Sequence, residues 1–116
     1  MTVLLTFNVI ELDSAGQPRG LGAPLEIDET GTISFGSSTE RNIVLEGELV
    51  SRHHFDLTIS DSRVMLTDQN STNGTQVNNM RVGLAELGQG DVIDIPGWRL
   101  EVTSLSFGVS QTEATV

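Results

Sequence analysis

The chain has 116 residues, enough for one domain with its own core, and no cysteine, which excludes disulfides, thiolate metal sites and cysteine nucleophiles. Sixteen acids stand against six arginines and no lysine, and the resulting net charge of −10 argues against partners that are nucleic acids or anionic membranes.

Residues 2–12 carry Val3, Leu4, Leu5, Phe7, Val9 and Ile10 in partial alternation, which predicts a first strand. This stretch is too short to span a bilayer and lacks the basic start and cleavage site of a signal peptide, so a cytoplasmic domain is expected. Residues 13–22 form a loop rich in glycine, and Leu25, Ile27, Ile33 and Phe35 then predict two short strands joined by a turn at Glu29-Thr30-Gly31. After Gly36 comes a polar, irregular stretch over 37–42, followed by Ile43-Val44-Leu45, an apolar run of buried-strand type.

Beyond Ser51-Arg52-His53-His54, the alternation of Phe55, Leu57 and Ile59 resumes at Val64 and Leu66 after Asp61-Ser62, the clearest hairpin in the chain. A second hairpin turns at Asn78-Asn79, since asparagine tolerates the positive φ of a tight turn. Residues 87–91 read as a turn, 92–95 as a strand and 98–107 as the last strand, with Trp98, Leu100 and Val102 on one face. No window of the chain sustains helical spacing. Many short strands separated by turns predict an all-β fold, a β-sandwich or barrel, over residues 1–107, with 108–116 a flexible tail or linker.

Two segments gather chemistry suited to a small anion. One is Val50-Ser51-Arg52-His53-His54; the other is Asp68-Gln69-Asn70-Ser71-Thr72-Asn73-Gly74-Thr75, and the intervening hairpin brings both to one edge. Their order, together with Gly36, Ile43-Val44-Leu45, Val77-Asn78 and residues 87–93, resembles the forkhead-associated (FHA) domain. That resemblance implies a β-sandwich of two largely antiparallel sheets whose loops, at one end, read phosphothreonine in a partner protein or peptide. It implies that Ser51 binds a phosphate oxygen, Arg52 adds a second contact, and Thr72 and Asn73 hold the phosphothreonine and the peptide backbone. Gly36, His54 and Gly74 would support the loops. The family usually places a phosphate-binding arginine directly after the first glycine, whereas this chain has Ser37, and Arg52 and Arg41 are the candidates to supply the missing charge.

Other readings of these residues are blander. Ser51, His54 and Asp68 invite comparison with a nucleophilic triad, but a serine three residues before a histidine at a loop-to-strand junction reads more simply as a loop brace, and no enzyme is expected. Asp91 and Asp94 read as solvated carboxylates on opposite faces of a strand, and Trp98 as a core residue. Adjacent histidines offer little to zinc, so neither metal nor cofactor is expected. The functional expectation is a phosphothreonine-peptide-binding module, part of a larger multidomain protein or complex. The alternative is a degenerate FHA domain that binds proteins, or itself, without phosphate.

Overall fold

The computed structural model describes residues 2–108, and these contain eleven strands and no helix. In chain order they are β1 (Thr2–Glu11), β2 (Ala23–Ile27), β3 (Gly31–Gly36), β4 (Ile43–Val44), β5 (Phe55–Ile59), β6 (Val64–Asp68), β7 (Thr75–Val77), β8 (Met80–Val82), β9 (Leu84–Leu87), β10 (Val92–Ile95) and β11 (Trp98–Gly108). A six-stranded sheet runs β2-β1-β11-β10-β7-β8, and a five-stranded sheet runs β4-β3-β5-β6-β9. All pairings are antiparallel except β3 with β4. This is the expected β-sandwich.

Alternation along the strands builds the layer between the sheets. Val3, Leu5 and Phe7 of β1, Phe55, Leu57 and Ile59 of β5, Val64 and Leu66 of β6, and Leu100 and Val102 of β11 all point inward and are buried. Phe35 and Phe55, partners across β3 and β5, stack with ring centroids 4.5 Å apart. The stacked pair closes the core directly beneath the loops that leave β3 and enter β5.

The two strands expected around Glu29-Thr30-Gly31 are present; β2 joins β1 and β3 joins β5, so the turn passes the chain from one sheet to the other. Pro24 is tolerated in β2 because that strand is an edge. The run Ile43-Val44-Leu45 is not a buried strand; β4 is a two-residue edge with Val44 37% exposed, and only Leu45 is fully buried. β9 carries no sequence signal, because Leu84, Ala85 and Glu86 show neither alternation nor strong β-propensity; its place comes from pairing with β6.

The Asn78-Asn79 turn has φ of 52° and 68°, the positive values that a two-residue hairpin requires. No helix among the described residues is long and apolar enough to cross a membrane. Strand β11 extends to Gly108, and the rest of the expected tail lies outside the described residues.

Truncating a stacked ring removes buried contacts that the rigid sandwich cannot recover. Phe55→Ala is expected to cost about 3–5 kcal/mol, read as a lower midpoint of urea unfolding followed by far-ultraviolet circular dichroism.

Candidate functional site

Three loops gather at one end of the sandwich: residues 37–42 after β3, 45–54 before β5, and 69–74 between β6 and β7. The first two are joined by the main chain. Ser37 and Ser38 donate their N–H groups to the carbonyls of Ser51 and Arg52 at 3.0 and 3.2 Å, and the Ser37 hydroxyl donates to the Val50 carbonyl at 2.9 Å. This approach explains Gly36, because a Cβ there would run into the Arg52 carbonyl.

His54 ties the second loop to the third. Its ring is fully buried, lying edge-on to Phe55. The Ser51 N–H donates to His54 Nδ1 at 3.0 Å, and Nε2 lies 2.9 Å from the Gly74 carbonyl. A backbone N–H only donates and a carbonyl only accepts, so Nδ1 is the bare nitrogen and Nε2 carries the proton. Neither nitrogen faces the Ser51 hydroxyl. His53 turns away and pairs with Asp56.

The third loop is organised by Asp68. Its Oδ1 accepts from Ser71 Oγ at 2.6 Å and Thr75 Oγ1 at 2.7 Å, and its Oδ2 accepts from the Ser71 N–H at 3.0 Å. Burial alone would raise the pKa of this carboxyl, but the bonds from Ser71 and Thr75 outweigh it and hold Asp68 below its ordinary value. Ser71 Oγ also accepts from the Gly74 N–H, which helps fix the left-handed turn at Gly74, with φ +89°.

On this frame Ser51, Thr72 and Asn73 come together. The Thr72 N–H donates to Ser51 Oγ at 3.0 Å, and Asn73 Nδ2 donates to the Leu49 carbonyl at 3.0 Å. A crevice of about 290 Å³ opens among Glu48, Leu49, Val50, Ser51, Thr72 and Asn73. Since Ser51 Oγ is already an acceptor, its proton is free to be donated outward.

No arginine lines this crevice. Arg52 follows Ser51 with an exposed side chain, and Arg41 buries an Nε that has no hydrogen-bond partner. Neither has an ion-pair partner among the described residues. Nothing in the sequence pattern marks Arg81 as part of this end of the sandwich. Its side chain lies over Gly74, where a Cβ would sit 2.6 Å from Arg81 Nε. Only the β7–β8 register, which pairs Gln76 with Arg81, brings it to the third loop.

Two other expectations resolve here. Asp91 is not merely solvated; it accepts from the Gly88 N–H and from Asn78 Nδ2, fixing the turn before β10. Asp94 pairs with Arg99 at 2.9 Å. Trp98 packs against the core but stays half-exposed, its indole N–H donating to the Glu46 carbonyl at 2.9 Å. Among the described residues no three His, Asp or Glu side chains converge as a metal site would require.

Residues 33–96 match the family model of the FHA domain. The chain belongs to the FHA domain family. Over 65 residues it is 38% identical to an ABC transporter ATP-binding/permease protein of Mycobacterium tuberculosis. Over 69 residues it is 35% identical to the glycogen accumulation regulator GarA of Mycolicibacterium smegmatis. These matches cover 56% and 60% of this chain but only 8% and 44% of those proteins, so the FHA domain spans less than half of either relative.

Among solved structures, one described for phosphothreonine-dependent FHA domain interactions is similar, with TM-score 0.68 and 30% identity, covering 88% of this chain and 95% of that one. The FhaA FHA domain, solved in complex with the intracellular domain of a second protein, gives TM-score 0.67 and 28% identity over 88% of this chain and 99% of its own.

The Asp68 network makes the third loop sensitive to acid. An unfolded aspartate takes up its proton near the ordinary value of 3.8, whereas the folded one holds out to lower pH. Stability from this group is therefore complete above 3.8 and lost as pH falls through the folded value. Asp68→Asn is expected to cost about 1–3 kcal/mol near neutrality and to flatten the acid limb of a stability-versus-pH curve measured by urea unfolding. Gly36→Ala is expected to cost about 1–3 kcal/mol in the same assay, because one of two main chains must move to admit the methyl group.

Proposed function

We propose that this FHA domain is a non-enzymatic module that binds a phosphothreonine segment of a partner protein in signalling or complex assembly. The observation that carries the reading is the crevice where Ser51 Oγ, held by the Thr72 N–H, keeps its proton available beside Asn73. The phosphate would accept that proton, and the guanidinium of Arg52, with Arg41 as a second cation, would supply the charge that Ser37 does not. Guanidinium groups present paired donors well matched to phosphate oxygens. Thr72 would face the threonine, and the Asn73 side chain, already bonded to the Leu49 carbonyl, would hold the peptide backbone.

Catalysis is disfavoured by the same geometry. Both His54 nitrogens are committed to backbone groups, so the ring has no free lone pair with which to take the Ser51 proton. In this reading residues 1–107 form the binding module, with residues 108–116 a tail or linker.

A specific observation supports a second reading, of a domain that binds proteins without phosphate: Ser37 turns its hydroxyl inward to the Val50 carbonyl and contributes nothing to an anion. Calorimetric titration with phosphorylated and unphosphorylated copies of a threonine peptide library separates the two. The phosphopeptide reading expects clear preference for phosphorylated peptides, weakened roughly tenfold to a hundredfold in Ser51→Ala or Arg52→Ala through loss of one charge-assisted hydrogen bond. Equal affinity for both copies in the wild type, with preference emerging only in Ser37→Arg, would establish the second reading.

A further inference from the structure

A larger cavity, of about 460 Å³, lies beside the Ser51 crevice, between the loop that follows β1, the loop before β5 and the β10–β11 turn. Its volume falls within the range of ligand clefts, and it is an open groove rather than an enclosed pocket. Trp98, Pro96 and Leu49 supply an apolar wall, and Glu46, Glu48, Glu11 and Asp13 surround it with carboxylates. Two of these acids have local duties: Glu11 lies 3.7 Å from Arg19, and Asp13 Oδ1 accepts from the Ala15 and Gln17 N–H groups. Glu46 and Glu48 have no side-chain partner among the described residues.

The cavity adjoins the proposed phosphate crevice, since Glu48 and Leu49 line both. Leu49 stands 63% exposed on the ridge between them, an apolar residue left uncovered where an extended chain would cross. Trp98 is fixed from behind by its bond to the Glu46 carbonyl, so its ring is a preset surface rather than a mobile one.

Resting on the phosphopeptide reading, we infer that this cavity receives an arginine or lysine side chain of the bound segment, a few residues from its phosphothreonine. An aliphatic stem packs on Trp98 and Leu49, and the cationic head meets Glu46 and Glu48. The carboxylates that surround the cavity select this occupant, because an acidic side chain would be repelled and an apolar one would forgo the attraction of both acids. The whole molecule agrees: a domain of net charge −10 repels a phosphorylated segment unless that segment carries compensating positive charge.

The test is a phosphothreonine peptide series in which one arginine is moved through each flanking position against an alanine background, with unphosphorylated copies alongside. Trp98, the sole tryptophan, reports occupancy of the cavity by its fluorescence. One position is expected to raise affinity roughly fivefold to tenfold over alanine, to lose affinity when glutamate replaces arginine, and to shift Trp98 emission. The preference for arginine is expected to fall to near unity in the Glu46→Gln/Glu48→Gln double variant. A series that binds in a phosphate-dependent manner but shows no favoured arginine position overturns this inference and leaves the phosphopeptide reading intact. Absence of phosphate-dependent binding at every position defeats both.

Discussion

The buried imidazole of His54 is the constraint on which the binding end depends. One ring nitrogen takes the N–H of Ser51, and the other donates to the carbonyl of Gly74, twenty residues along the chain. Without it, a backbone donor and a backbone acceptor would each be left inside the protein, where water cannot replace the lost bond. The ring therefore sets the distance between two loops that share no regular secondary structure. Ser51 and Thr72 meet across that distance, and the hydroxyl of one accepts from the amide of the other.

Two further features keep this junction in place. Gly36 lets the first loop lie flat on the Ser51-Arg52 main chain, and Asp68 binds the third loop to itself through Ser71 and Thr75. The three devices act in different directions, so the crevice is defined by polar contacts to the backbone and not by the apolar core below. That division suits a recognition surface: the sandwich supplies rigidity, and short side chains on loops supply the contacts.

Charge is distributed unevenly around the loop end. The domain is strongly acidic, yet Arg41, Arg52 and Arg81, which have no ion-pair partner among the described residues, lie on or beside these loops, while the neighbouring cavity is ringed by carboxylates. With a screening length of about 8 Å at physiological salt, these regions act on a ligand almost independently. An extended segment with one anionic and one cationic group matches that arrangement better than a uniformly charged one. Under the phosphopeptide proposal, Ser37 leaves the anion to other groups, because its short side chain is spent on the Val50 carbonyl.

Alternation of residue type was enough to reveal an all-β fold, sandwich or barrel, the β5–β6 hairpin and the Asn78-Asn79 turn, since each rests on contacts between near neighbours or on local φ preference; the choice of a sandwich came from the ordered motifs. The ordered motifs likewise exposed Ser51, Thr72, Asn73, His54 and Gly74, and the structure brings these together. Long-range pairing decided the rest. Which sheet receives β2 and β3, why β9 exists, how Arg81 reaches Gly74 and how Trp98 comes to line an acidic cavity all depend on partners far away in the chain. Sequence carries the period of each strand, but the neighbour of a strand is chosen by the fit of whole sheets, and only that fit determines which loops share an edge.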